Sequence, residues 1–344
     1  MKNFHFSRLI AGAIVALMLS VSMTSSLEAR QRHGGPGNGA PFTGIVAFGD
    51  SLTDNGNIFE LTGGCYPNPI LGYDDGRFSN GLVWLEYLAQ EMGIEPGSVR
   101  NFAVGGATSG YDNINDNYDD CLNDEYPGLQ DELDSFEAEL NGKKADKRAL
   151  YVVWAGSNDF YDSDLTQADQ TISTGVLNNV IAVQRLHQAG AKRIMVVKMP
   201  DLGLTPFGNG PATASLLTII SRVYNDTLDL ALDGLAATGV ETIRVDASGV
   251  LQDAVSNPED FGFSNVDKAY LPYGQIRRAD PSEFLFWDPF HPTTRGHLFL
   301  AEEAMRVLRE EFPHVLGKKV AKKKGTKKKA TKKKTAKKKA NRKK

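Results

Sequence analysis

From Gly44 onward, short apolar runs rich in β-branched and aromatic residues alternate with longer stretches in which apolar positions recur every three to four residues. The short runs Gly44–Phe48, Val99–Ala103, Ala149–Trp154, Arg193–Met199 and Glu241–Val245 predict strands. The longer stretches Leu82–Met92, Leu129–Leu140, Ile172–Gln188, Ala214–Ala237 and Thr294–Glu311 predict helices; Leu298, Ala301, Met305 and Leu308 form one stripe of the last. Five strands separated by crossover helices predict a three-layer α/β fold around a five-stranded, mostly parallel sheet.

The pattern changes at both ends. Lys2 and Arg8 precede the apolar run Leu9–Met23, followed by Thr24, Ser25, Ser26 and the small Ala29, the order of a signal peptide. The run is shorter than the roughly 20 apolar residues of a bilayer span, so an integral membrane protein is not expected, with a retained anchor helix as the alternative. The expected organisation is a signal peptide over 1–29, a flexible Gly- and Pro-rich lead-in over 30–42, a folded domain over 43–316 and a tail over 317–344. The tail repeats a Lys triplet every five residues, a spacing that scatters charge around a helix axis, and its mutual repulsion predicts disorder.

Composition sharpens this division. A hydrophobic fraction of 41% and an aromatic fraction of 9% suffice for a buried core. The net charge of −3 is an average of unlike parts, because the tail holds 16 Lys, one Arg and no acid. The remainder carries 22 basic against 42 acidic residues. Such a tail predicts a partner that is an anionic surface or polyanion, bound by charge alone. In an exported chain, Cys65 and Cys121 admit a disulfide, with two separate thiols as the alternative.

Ligands of open α/β sheets bind beyond the carboxyl ends of the strands. The first three strands are followed by Gly49-Asp50-Ser51, Gly105-Gly106-Ala107 and Gly156-Ser157-Asn158-Asp159, and Asp288-Pro289-Phe290-His291 precedes the last helix. A hydroxyl, amides beside glycine, a carboxamide, a carboxylate and an imidazole on one edge are the groups acyl transfer requires. Ser51 is the candidate nucleophile, His291 its base, and Asp288, three residues earlier, the group that orients the imidazole. The amides of Ser51 and Gly106 and the side chain of Asn158 are candidate oxyanion donors. Ser51 is expected at a strand-to-helix junction, near the positive end of the following helix. Among the six histidines His291 alone has both an upstream acid and a strand-end position; His5 lies in the signal segment, His33 and His314 flank the domain, and His187 and His297 fall within helices.

The segment Phe48-Gly49-Asp50-Ser51-Leu52-Thr53-Asp54-Asn55-Gly56-Asn57 resembles the first block of the GDSL esterase/lipase family, the SGNH hydrolases. Asn101–Thr108, Gly156–Asp159 and Asp288–His291 resemble its second, third and fifth blocks, and Arg77-Phe78-Ser79-Asn80-Gly81 resembles the secreted plant and bacterial lipase subfamily. The resemblance implies a flavodoxin-like sheet and serine ester hydrolysis without a metal or other cofactor, often on lipids. It places the nucleophile on Ser51, the oxyanion donors on Gly106 and Asn158, and the remaining pair on Asp288 and His291.

Simpler readings stand beside these. Ser51 as an N-cap, Gly106 and Asn158 as turn residues, and Asp50 and Asp159 as structural acceptors are each compatible with sequence alone. The acidic stretch 111–125 lacks the residue order of a calcium-binding EF-hand and reads as a solvated loop near the site. Phe59, Leu61, Tyr66, Tyr73, Phe207 and Tyr270 lie in long loops and favour an apolar acyl chain. The resulting expectation is an exported serine ester hydrolase, a lipase, esterase or phospholipase. A carbohydrate deacetylase with the same residues and an inactive envelope-binding scaffold are the alternatives.

Overall fold

The computed structural model describes residues 42–116, 121, 124–161, 163–272, 275 and 279–316. The expected signal peptide, the lead-in up to residue 41 and the Lys-rich tail lie outside the described residues. Phe42, assigned from sequence to the lead-in, is instead buried; it meets Phe312 edge-on and lies under the Arg193 guanidinium.

Five strands, β1 (Ile45–Gly49), β2 (Val99–Asn101), β3 (Leu150–Trp154), β4 (Ile194–Val197) and β5 (Ile243–Val245), form a sheet in the order β2-β1-β3-β4-β5. Every pairing is parallel, with Ile45 opposite Val99 and Leu150. β1 and β3 are buried along their whole length, which is why they read as unbroken apolar runs rather than alternating ones.

Successive side chains of a strand point to opposite faces, and both faces are covered. Val46, Phe48, Tyr151, Val153, Ile194 and Val196 pack against α3 (Leu129–Leu140), α4 (Ala168–Ala189) and α5 (Ala214–Ala237). Ile45, Ala47, Val152, Trp154, Met195 and Val245 pack against α2 (Trp84–Met92) and α8 (Thr294–Glu311). The buried stripe of α8 is Leu300, Ala301, Ala304, Met305 and Leu308, extended by His297, whereas Leu298 is only half-buried.

Several elements escape the sequence pattern. α1 (Asn57–Leu61) follows β1, and α6 (Ala247–Ser256), α7 (Pro258–Phe261) and α9 (Pro313–Leu316) are short. A second sheet pairs β6 (Asn265–Ala269) with β7 (Phe284–Phe286) in parallel. β6 carries Asn, Asp and Lys and is partly exposed, and β7 has only three residues, so neither produces a strand-length apolar run. The small sheet carries the segment that leads into His291: Trp287 N donates to His291 O at 2.8 Å and Thr293 N to Leu285 O at 2.8 Å, folding residues 287–293 back onto β7. Among the described residues no helix is long and apolar enough to cross a membrane.

Candidate active site

Ser51 stands in a tight turn at the carboxyl end of β1. Gly49 has φ 149°, and a Cβ there would run into the carbonyl of Trp154 on the neighbouring strand, so only glycine lets the two strands end side by side. Asp50 then closes the turn: its Oδ1 accepts from Leu52 N at 3.0 Å, and its carbonyl accepts from Thr53 N and Asp54 N at 2.9 Å. The helix after this turn begins only at Asn57 and has five residues, so Ser51 does not sit at a helix N-terminus as the sequence suggested.

The second strand end is tied to the first through two buried carboxylates. Asp54 accepts from Gly56 N and Asn57 N on one oxygen and from Ile58 N and Gly105 N on the other. Glu132 reaches in from α3 and accepts from Gly49 N at 2.7 Å and Val104 N at 3.1 Å. Burial pushes Asp54 up to about 6 and Glu132 well above its ordinary range, against the pull of those amides.

These contacts discriminate between the two adjacent glycines. The Gly105 amide is committed to Asp54, and its carbonyl accepts from Asn113 Nδ2 and Asn115 Nδ2. Gly106 has φ 85° and is packed so closely against Asn113 and Asn115 that a Cβ has no room. Its N–H, like that of Ser51, has no hydrogen-bond acceptor among the described residues. Part of the acidic loop is therefore structural: Asn113 and Asn115 are buried behind Gly106 rather than solvated, while 117–120 and 122–123 lie outside the described residues.

Asn158 follows β3, and its Nδ2 donates to Ala107 O at 2.9 Å, which uses one of its two N–H groups and leaves the other. Asp159 accepts from Ser109 N and Ser109 Oγ, fastening the second and third strand ends together. It is thus a structural acceptor, with its carboxyl raised to about 6 by burial.

The His291 loop completes the set. Asp288 Oδ1 accepts from the amides of Phe290 and His291 at 2.8 Å each, and its Oδ2 lies 2.7 Å from His291 Nδ1. Burial pushes the Asp288 carboxyl up, but His291 and these donors outweigh it and hold the group below its ordinary value. A carboxylate can only accept, so in the neutral imidazole the proton is on Nδ1 and the lone pair on Nε2. Ser51 Oγ stands 2.7 Å from Nε2, to which its hydroxyl donates in that tautomer. Ser51, Gly106, Asn158 and His291 line one cavity, and a neighbouring cavity shared by Ser51, Asn158 and His291 is walled by Phe160, Leu202, Phe207, Leu217 and Phe290.

Of the apolar residues expected in loops, Phe207 and Tyr66 line these cavities, whereas Phe59 and Leu61 fall instead in helix α1, with Leu61 exposed away from the cavities. Tyr270 is buried, stacked on Trp287, and Phe59 packs near Gly64 and Gly76. Tyr73 donates from Oη to Asp288 Oδ2 at 2.8 Å. Sequence reasoning missed Tyr73, Asp54 and Glu132 as parts of the site; only Asp54 carried a signal, through its place in the first block. Cys65 and Cys121 are joined as a disulfide with Cα atoms 6.1 Å apart. Asp50 is driven up to about 7 by burial, and its Oδ2 has no partner among the described residues.

The sequence profile of the GDSL-like lipase/acylhydrolase family matches residues 45–304. The chain is 28% identical to a GDSL esterase/lipase of Arabidopsis thaliana over 78% of this chain and 89% of that one. It is also 28% identical to the phosphatidylcholine-sterol acyltransferase of Aeromonas hydrophila, over 79% of this chain and 91% of that one. An acetylxylan esterase structure from Geobacillus stearothermophilus aligns with 78% of this chain and 96% of its own at 15% identity and a TM-score of 0.42. With a profile match over residues 45–304, which takes in the whole five-stranded sheet, the chain belongs to the GDSL-like lipase/acylhydrolase family of ester hydrolases.

Proposed function

We propose that the protein hydrolyses carboxylic esters through an acyl-enzyme on Ser51, with Asp288 and His291 completing the triad. The unbroken chain Ser51 Oγ, His291 Nε2, His291 Nδ1, Asp288 Oδ2, with both links at 2.7 Å, carries this reading. In the first step Ser51 Oγ attacks the ester carbonyl carbon as its proton passes to His291 Nε2, and the imidazolium is stabilised by Asp288. The carbonyl oxygen becomes an oxyanion facing the N–H groups of Ser51 and Gly106 and the second N–H of Asn158. Collapse releases the alcohol, which takes the proton from Nε2. Water, deprotonated by the same nitrogen, then releases the acid and restores Ser51.

The aromatic and aliphatic wall of Phe160, Leu202, Phe207, Leu217 and Phe290 beside Ser51 supports an apolar acyl group, as in lipid esters. Export through the N-terminal segment, and retention on anionic surfaces through the Lys-rich tail, are part of the same reading.

The test is Ser51→Ala assayed on esters from acetyl to long acyl chains. Activity is expected to fall more than about a thousand-fold while the fold persists, and a fluorophosphonate probe is expected to label Ser51 in the parent. Labelling of another serine would remove the assignment. A strict preference for acetyl esters would favour the deacetylase alternative.

A further inference from the structure

The triad leaves one strongly placed group unused. Asp288 Oδ1 accepts from two backbone amides and lies 2.9 Å from His291 Nδ1, while Oδ2 lies closer to that nitrogen at 2.7 Å; a further donor, Tyr73 Oη, reaches Oδ2 at 2.8 Å. Tyr73 is itself held: its ring lies edge-on to Phe78 at 6.3 Å and to Trp287 at 6.1 Å.

It is carried by residues 72–82, which clasp the His291 loop along its length. Phe78 lies 4.9 Å from the His291 ring, Ser79 Oγ donates to Pro292 O at 3.0 Å, and Thr294 N donates to Asn80 Oδ1 at 2.9 Å. Thr294 Oγ1 also donates to Leu82 O. Two charge-assisted bonds from Arg77 to Glu86 anchor the clasp on α2. The Arg77–Gly81 motif therefore surrounds the Asp288–His291 pair, and Tyr73 is the point at which it touches the carboxylate.

We propose that Tyr73 is a positioning residue, whose hydroxyl fixes the rotation of the Asp288 carboxylate and moderates the negative charge that Asp288 presents to His291. A carboxylate oxygen accepts along two lone-pair directions, so a donor on one leaves the other aimed at Nδ1. Burial, followed by the neighbouring Asp288 charge, raises the Tyr73 hydroxyl well above the ordinary range of a phenol, so it remains a donor wherever the enzyme works. The other titratable groups around the pair are Asp50 in the β1 turn, His297 on α8, both of which interact electrostatically with His291, and Tyr66 beside Tyr73. All three are common to parent and variant, so a difference between the two isolates Tyr73.

This inference rests on the triad reading, and its test separates the two. Tyr73→Phe removes one oxygen and keeps the ring. On a soluble short-chain ester its kcat is expected to fall about three- to thirty-fold with KM little changed, by analogy with other groups that act through a catalytic unit. Loss of the donor leaves more charge on Oδ2 and favours the imidazolium, so the acid limb of kcat/KM against pH is expected to move to higher pH by about half a unit or more.

In an Asp288→Asn background the same change is expected to alter kcat less than about two-fold, because its route of action is gone. Equal losses in both backgrounds, or an unmoved acid limb with unchanged kcat, would overturn the proposal. Tyr73→Met, which fills the space with a pliant apolar chain, is the second variant and carries the same expectations if Tyr73→Phe does not fold. Full activity in Ser51→Ala would overturn the triad reading instead; an inactive Ser51→Ala beside an unaltered Tyr73→Phe would overturn only the role of Tyr73.

Discussion

Asn158 and Gly106 show how single residues are recruited from different strand ends, one through its side chain and one through its backbone amide. Each faces the cavity that also holds Ser51 and His291, and each is held there by neighbours that do not touch it in sequence. If the second N–H of Asn158 meets the oxyanion, Asn158→Ala should lower kcat about 10²- to 10³-fold with KM nearly unchanged, since the bond strengthens only as charge develops. An equal change in KM and none in kcat would assign Asn158 to ground-state binding. That Ser51, Asp288 and His291 would come together was legible in the sequence, because a hydroxyl just beyond the first predicted strand and an acid and imidazole just before the last predicted helix are chemically distinctive. The choice of Gly106 over Gly105 was not legible from residue type; it follows from Asp54 taking the Gly105 amide. Tyr73 read as one more loop aromatic, since nothing local to it announces a carboxylate 215 positions away.

At the scale of elements, α3 and α8 each place an ionisable group on a buried face. Glu132 has a reason to be there, because it satisfies Gly49 N and Val104 N. His297 is different: it is almost fully buried on α8, and neither ring nitrogen has a partner among the described residues. Burial, reinforced by His291, depresses its folded value to about 3. The unfolded chain binds a proton below about 6.5 while the folded chain does not, so stability falls as pH drops through that value. At pH 5 the difference is about 2 kcal/mol, which is several degrees in Tm. His297→Leu is expected to lessen the drop in Tm between pH 8 and pH 5, measured by thermal unfolding at both; an unchanged drop would mean that His297 is not the titrating group. The helices themselves were legible from periodicity. Glu132 and His297 were not legible as buried, because a polar residue on an apolar stripe reads as a boundary until a partner or a packed neighbour explains it.

For the whole molecule, one covalent link acts over long range. The Cys65–Cys121 disulfide closes a loop of 56 residues of separation, worth about 4 kcal/mol in the chain-entropy model, so reduction should lower Tm by several degrees. Intact mass before and after reduction, alongside calorimetry, checks both halves of that statement. The 17 positive charges of the tail are expected to govern location and not chemistry. Deleting Lys318–Lys344 should leave turnover of a small soluble ester unchanged and abolish retention on a polyanion column, with the parent's retention falling steeply with salt. Loss of small-ester turnover on truncation would contradict this division. The sequence by itself determined the succession of the five core strands and five long helices, the sheet they imply and the chemical types at the strand ends, because periodicity and glycine-marked turns are local properties. Only the tertiary structure decided which amides remain free beside Ser51, which buried carboxylates hold the strand ends together, how β6 and β7 carry the His291 loop and that residues 72–82 clasp it. Those are contacts between segments distant in sequence, set by packing rather than by any local pattern.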